Sequence, residues 1–239
     1  MNKRHLAFNH FMHQYPSYAK AYSILKSSLA EVFPHDDAHC DYGMASFMQL
    51  IAYKTETADD TQLKAQDNIV LKPYDAAWPK LAKAEINAIK LTTQLPFDAI
   101  EHVGSTAIPG MPSKPILDIF IGIQTIASGQ DWIAPLQSLG YVDWPDNPEK
   151  THIRLFKGMP PFGEQRTHHI HILESNDPRF KLSILFRDLL RQNKEACAEY
   201  ETCKRQLSQS VADDREQYTQ RKFEVIKSIL NTHGYSIKY

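Results

Sequence analysis

Apolar residues recur at three- and four-residue spacing at both ends of the chain, while the middle carries short runs and alternations. Tyr18, Tyr22, Leu25, Leu29 and Val32 make one stripe of an amphipathic helix, which Pro16-Ser17 starts and Pro34 stops. Further helices are expected near 5–14 and from about Tyr42 to Lys54. Residues 57–68 are polar and read as a linker. A short strand is expected at Ile69–Leu71, then a helix over Asp75–Thr92 with Asp75 as its N-cap. Ala99–Val103 reads as a strand running into Gly104-Ser105. Ile116–Ile123 is almost continuously apolar, as in a central strand buried on both faces. Asp131–Leu139 reads as a helix ending at Gly140, and Ile153–Lys157 and Thr167–Leu173 alternate as strands do. Residues 179–239 hold no proline, and predict helices over Arg179–Gln192, Lys194–Val211 and Arg215–Asn231.

Turn residues sharpen the division, because 12 of the 14 prolines and 7 of the 9 glycines fall within 73–178. The expected organisation is a helical segment at 1–56, the linker at 57–68, an α+β core at 69–178 and C-terminal helices at 179–239. The 239 residues suffice for a core without metal or disulfide staples, and three cysteines are too few for either framework. A net charge of −1 argues against a dedicated nucleic-acid or anionic-membrane binder, while leaving room for a local basic pocket. The first residues lack the apolar run of a signal peptide, and no window approaches a membrane span, so the cytoplasm is the expected compartment.

The candidate chemistry sits in the middle segment. A strand ending in Gly104-Ser105-Thr106 lets backbone N–H groups and hydroxyls approach an anion closely, and suits phosphate oxygens. Asp118 is the only charge in the Ile116–Ile123 run, and a carboxylate buried there needs a partner or a metal. His169 and His171 are two apart, so they share one strand face while Ile170 and Ile172 share the other. Two imidazoles meeting Asp118 would suit Zn²⁺, Mn²⁺ or Fe²⁺ better than Mg²⁺; the imidazoles could instead act as acid–base groups. Arg154 and Lys157, three apart, must face opposite ways, so at most one reaches a site. Lys114 is either a solvated loop residue or a phosphate contact. Arg187 and Arg191 share a helix face and are either an anion patch or salt-bridge partners. Tyr200, Tyr218 and Phe223 read as core.

Taken together, several segments resemble the GrpB family. They are Lys72-Pro73-Tyr74-Asp75 with Trp78-Pro79, His102-Val103-Gly104-Ser105-Thr106-Ala107-Ile108-Pro109-Gly110, and Lys114-Pro115 leading to Asp118. They continue with Leu139-Gly140-Tyr141, His169-Ile170-His171, and Phe186-Arg187-Asp188-Leu189-Leu190-Arg191 with Tyr200 and Lys204. That family is similar to the nucleotidyltransferase superfamily, which implies an α+β fold with a mixed sheet flanked by helices. The resemblance implies phosphate binding at the Gly104-Ser105 turn with Thr106, and Lys114 and Arg187 are the further candidate phosphate contacts. It also implies that Asp118 belongs to a reacting and metal-binding centre, where His169 and His171 stand in place of a later carboxylate, with Mg²⁺ or Mn²⁺ expected ahead of Zn²⁺. The implied ligand is a nucleotide or other small phosphate compound, with transfer to an acceptor. Phe120 stands where the superfamily carries its second carboxylate. It leaves open a catalytically silent binding module or a single-metal hydrolase.

The chain also resembles itself. At an offset of 178, residues 8–29 align with 186–207 without a gap, matching Phe8 to Phe186, Tyr22 to Tyr200, Lys26 to Lys204 and Leu29 to Leu207. After a two-residue adjustment Phe47 meets Phe223. The expectation is that 1–56 is a second copy of the C-terminal helices that buries Phe11, Tyr22, Leu25, Leu29 and Phe47 and packs on the core or on a partner chain.

Overall fold

The computed structural model describes residues 3–56, 70–160, 162–210 and 215–235. Three helices come first: α1 (Lys3–Gln14), α2 (Pro16–Val32) and α3 (Asp37–Lys54). Next are α4 (Trp78–Thr93), β1 (Ala99–Val103), a 3₁₀ turn at Ser105–Ala107 and β2 (Leu117–Ile123). A 3₁₀ segment (Ile126–Trp132) leads into α5 (Ile133–Ser138), β3 (Val142–Asp143), β4 (Ile153–Lys157) and β5 (His168–Glu174). The C-terminal helices are α6 (Pro178–Gln192), α7 (Lys194–Ser210) and α8 (Arg215–Thr232). The expected linker at 57–68, and Ile69, lie outside the described residues. No helix among those described is long and apolar enough to cross a membrane.

Among the boundaries that differ from the sequence reading, four have a clear local reason. Helix α3 begins five residues ahead of Tyr42 because the Asp36 carboxylate accepts from the His39 N–H at 3.2 Å and caps it. Asp75 accepts from the Ala77 N–H at 2.8 Å, so it closes the turn ahead of α4, and the helix starts at Trp78 with Pro79 in its first turn. Pro135, lacking an N–H, fits only near a helix start, which confines α5 to Ile133–Ser138. Val70 and Leu71 join no strand; the backbone pairs instead at Lys72, through an isolated bridge to Ser113.

The five strands make one mixed sheet in the order β1-β2-β5-β4-β3, with β2 and β5 parallel and the other neighbours antiparallel. Side chains alternate between its faces. The back face presents Ile119, Ile121, Leu155, Ile170 and Ile172, which form one core with α2, α3 and α4. The register lines the front face with two rows across the strands. One is Val103–Asp118–His169–Phe156 and the other Glu101–Phe120–His171–Arg154.

Lys157, three residues from Arg154, points to the back as expected. There it donates to Glu85 Oε1 of α4 at 2.6 Å, and Tyr141 donates to the same oxygen at 2.9 Å. Helices α6–α8 lie over the front face and build a second core around Phe186, Tyr200, Ile229 and Leu230. The two helical triplets thus lie on opposite faces, with 12, 17 and 18 residues in α1–α3 against 15, 17 and 18 in α6–α8. Phe11, Leu25, Leu29 and Phe47 are buried, whereas Tyr22 is half-buried. Matched positions differ in environment: Lys26 is exposed and Lys204 buried, Phe47 buried and Phe223 exposed.

Candidate active site

The front face of the sheet and α6–α8 enclose a cleft of about 800 Å³. Gly104, Ser105, Thr106, Lys114, Asp118, His169, His171 and Arg187 all line it, so the structure brings these eight candidates to one place, while Arg191 and Lys157 are not in its lining. Strand β1 delivers Gly104 with φ of 72°, a conformation that a side chain strains. A methyl group there would also overlap Asp118 Oδ2. Gly104→Ala is therefore expected to lower stability by about 1 kcal/mol and to displace the carboxylate. Denaturant unfolding checks this: a variant as stable as the wild type would show that the close approach is incidental.

The candidates differ in how far they are already engaged. Ser105 Oγ lies 3.5 Å from Tyr200 OH. Thr106 Oγ1 donates to the Ile116 carbonyl at 2.9 Å, so His102 Nε2, 3.0 Å away, donates to it. The Thr106 hydroxyl is thus committed to the fold. Arg187 donates to Glu101 at 2.6 Å, to the His102 carbonyl at 3.0 Å and to Asp188 at 2.8 Å, the salt-bridge alternative. Lys114 Nζ sits 5.3 Å from the centre of the Tyr218 ring. Tyr200 and Tyr218 are buried as expected, but they also line the cleft, and Phe223 is exposed at it rather than in a core.

Asp118, His169 and His171 can each offer a ligand atom, and these atoms lie within 4.8 Å of one another. His169 Nδ1 is 3.6 Å from Asp118 Oδ1 and 3.0 Å from His171 Nε2. Two donors bound about 2.0–2.1 Å from one tetrahedral metal lie roughly 3.4 Å apart, so the trio fits a single small cation. Burial first, then the His169 and His152 imidazoles, hold the His171 pKa well below its usual value, and the ring is neutral as a ligand must be. Phe120 packs against the His171 ring, with the ring centres 4.3 Å apart.

Behind the trio stands a residue that the sequence reading missed. His152 Nε2 is 2.8 Å from His171 Nδ1, and His152 Nδ1 is 3.3 Å from Glu149 Oε2. With His171 Nδ1–H donating to His152, its Nε2 lone pair faces the other two ligand atoms, the arrangement that outer partners impose on metal-bound imidazoles. Arg154 Nε, 3.2 Å from His152 Nδ1, favours the opposite tautomer, and Glu149 competes with it. The period of two gave a signal, because His152 shares a face with Arg154 and Phe156.

The cleft is also strongly basic. Lys114, Arg154, Arg166, Arg187, Lys204 and Lys222 line it, against the single carboxylate of Asp118. Lys204 Nζ donates to the Pro112 carbonyl at 2.6 Å and to Ser113 Oγ at 3.2 Å. Burial, then the neighbouring Lys222 charge, push its pKa down to about 6. Lys222, by contrast, is held above the usual lysine range by Tyr200 first and then by Tyr218 and Asp118. An anion entering here would meet the Lys222 charge and would favour protonation of Lys204.

Known proteins place this fold and site in context. The family model described as "GrpB protein" matches residues 68–232. The UPF0157 protein PA4798 of Pseudomonas aeruginosa is 42% identical over 165 residues, which cover 69% of this chain and 67% of the relative. The UPF0157 protein YqkA of Bacillus subtilis is 34% identical over 155 residues, 65% of this chain but only 44% of that protein. A dephospho-CoA kinase of Mycolicibacterium paratuberculosis is 28% identical over 179 residues, 66% of this chain and 44% of the kinase. Among solved structures, the conserved protein GrpB from Enterococcus faecalis superposes with a TM-score of 0.59 at 27% identity, covering 69% of this chain and 99% of that one.

Proposed function

The chain belongs to the GrpB family, and from that premise we propose that its cleft binds a phosphate-bearing nucleotide and one divalent metal for phosphoryl or nucleotidyl transfer. The observation that carries this reading is the convergence of Asp118, His169 and His171 in a cleft that several basic side chains also line. In a chain with a net charge of −1, the basic residues gathered beside this one lining carboxylate favour an anionic ligand, even with Arg154 held by Glu149 and Arg187 by Glu101 and Asp188. Ser105 and the Gly104 turn, with Lys114, Lys204 and Lys222, would hold phosphate oxygens. A metal held by the trio would neutralise charge on the transferred phosphoryl group. The donor set favours Mn²⁺ or Zn²⁺ over Mg²⁺. Phe120 argues for one metal in place of the pair used by nucleotidyltransferase-like enzymes.

A thermal-shift screen of Mn²⁺, Zn²⁺ and Mg²⁺ crossed with ATP and inorganic tripolyphosphate tests the proposal. A metal at 100 times its Kd should stabilise the protein by about 2.7 kcal/mol, or roughly 5–10 °C for a chain of this size. Asp118→Ala should melt like the wild type without metal and lose the metal-dependent shift, because Asp118 lies outside the apolar clusters. A folded Asp118→Ala variant with the full shift would reduce Asp118 to a structural residue. A wild type that responds to neither metal nor polyphosphate would end the proposal.

A further inference from the structure

Resting on the phosphate-binding reading above, we propose that the β4–β3 end of the cleft is a nucleobase site. The ligand then lies across the strands, with its phosphates at the Gly104–Ser105 end. The front-face rows give the cleft two chemically different ends. At the β1–β2 end stand the Gly104 turn, Lys114, Asp118 and the lysines of α7 and α8. At the other end the lining changes to planar groups, contributed by Trp144, Arg154, Phe156 and Arg166.

These planar groups are arranged as stacks. Phe156 lies against the His169 ring at 4.5 Å, and the Arg166 guanidinium sits 4.2 Å from the centre of the same Phe156 ring. Trp144 follows β3, and its backbone N–H donates to the Arg154 carbonyl at 3.2 Å, which continues the β3–β4 pairing and sets Trp144 opposite Arg154. The Arg154 guanidinium sits 5.7 Å from the Trp144 ring centre, yet the indole remains 40% exposed. An exposed tryptophan backed by a guanidinium, on the wall of a cleft, is a stacking platform for a flat, electron-rich ring. Phe223 of α8, also 40% exposed, adds a second aromatic surface to the same cleft.

Distance supports the same ligand. Strand β2, which carries Asp118, is three strand spacings from β3 in the sheet order, or about 14 Å. An extended nucleoside di- or triphosphate bridges that span, whereas inorganic polyphosphate would leave the aromatic end bare.

Calorimetric titrations with ATP and with inorganic tripolyphosphate, each at fixed Mn²⁺, decide the matter. Stacking should make ATP bind roughly 5- to 150-fold more tightly than tripolyphosphate, although tripolyphosphate carries more charge and electrostatics alone would favour it. Trp144→Ala should bring ATP to within about 2-fold of tripolyphosphate and leave tripolyphosphate unchanged. Trp144→Phe should keep part of the preference, and Lys222→Ala should weaken both ligands alike. Equal binding of the two ligands by the wild type would overturn the base site, as would equal weakening of both by Trp144→Ala. Binding of neither would instead remove the phosphate reading, and the base site with it.

Discussion

Conformational stability should fall by at least about 4 kcal/mol between pH 7.5 and pH 5, because at least two imidazoles are kept neutral inside the fold. Burial pushes His102 down to about 4, helped by the charges of Arg191 and Arg187 against the pull of Asp118. Burial does the same to His168, where Lys157 adds to it and Glu85 opposes it. In the unfolded chain both rings take up protons near the ordinary value of about 6.5. Below that pH the unfolded state therefore binds more protons than the native one, and stability must decline as the pH falls towards 4. The contribution is intact above pH 6.5. Each ring should lose about 2 kcal/mol by pH 5 and about 3 kcal/mol by pH 4. Such a loss is a large part of the ~5–15 kcal/mol that holds a typical domain together. Glu85, titrating below the usual carboxylate range, loses its contribution in the same direction but only at lower pH. Urea unfolding in the presence of a chelator, at pH 7.5 and pH 5, measures the difference without interference from bound metal. A midpoint independent of pH would show that these imidazoles are not held neutral, and His168→Gln should flatten the dependence by its share.

The parts of the site that were legible in the sequence are those set by local geometry. Gly104-Ser105 closes β1, Asp118 interrupts an apolar run, and His169 and His171 share a strand face. The parallel pairing of β2 with β5 then puts Asp118 opposite His169, and no pairing partner can be read from one strand alone. Helix limits were legible where Pro16 marks the start of α2. They slipped where a side-chain cap decided the matter, as at Asp36. Lys204 and Lys222 could not be assigned, because a lysine four residues beyond a tyrosine on a helix is usually solvated. Here Lys204 follows Tyr200 and Lys222 follows Tyr218, and both helices turn that face into the cleft. The role of Glu85 was hidden for the same reason. Its partner is 72 residues away, and neither residue's neighbours reveal that both are buried.

That buried pair should be the most sensitive point of the fold to a change of one residue. Glu85 is 2% exposed and Lys157 1%, and they meet at 2.6 Å on the back of the sheet. Glu85→Gln would leave the Lys157 ammonium buried without a counter-charge, next to the face of the Tyr141 ring 4.7 Å away. The expected cost is about 3–5 kcal/mol. Replacing both partners, as in Glu85→Met/Lys157→Met, should cost less than Glu85→Gln alone, because no unpaired charge then remains inside. Denaturant unfolding of the three proteins at pH 7.5 checks the order. A single variant within about 1 kcal/mol of the wild type, or a double variant worse than the single, would show that the pair is not buried as a unit. The reason for keeping so costly a pair lies in strand alternation. Lys157 pairs with His168 in the β4–β5 ladder, and its neighbour Phe156 pairs with His169 on the front. A slip of one residue in β4 would turn Lys157 into the cleft and Phe156 beneath α4. Only the observed register brings the ammonium to Glu85. The ion pair behind the sheet therefore selects the alignment that sets Phe156 beside His169 and Arg154 beside His171 at the candidate active site.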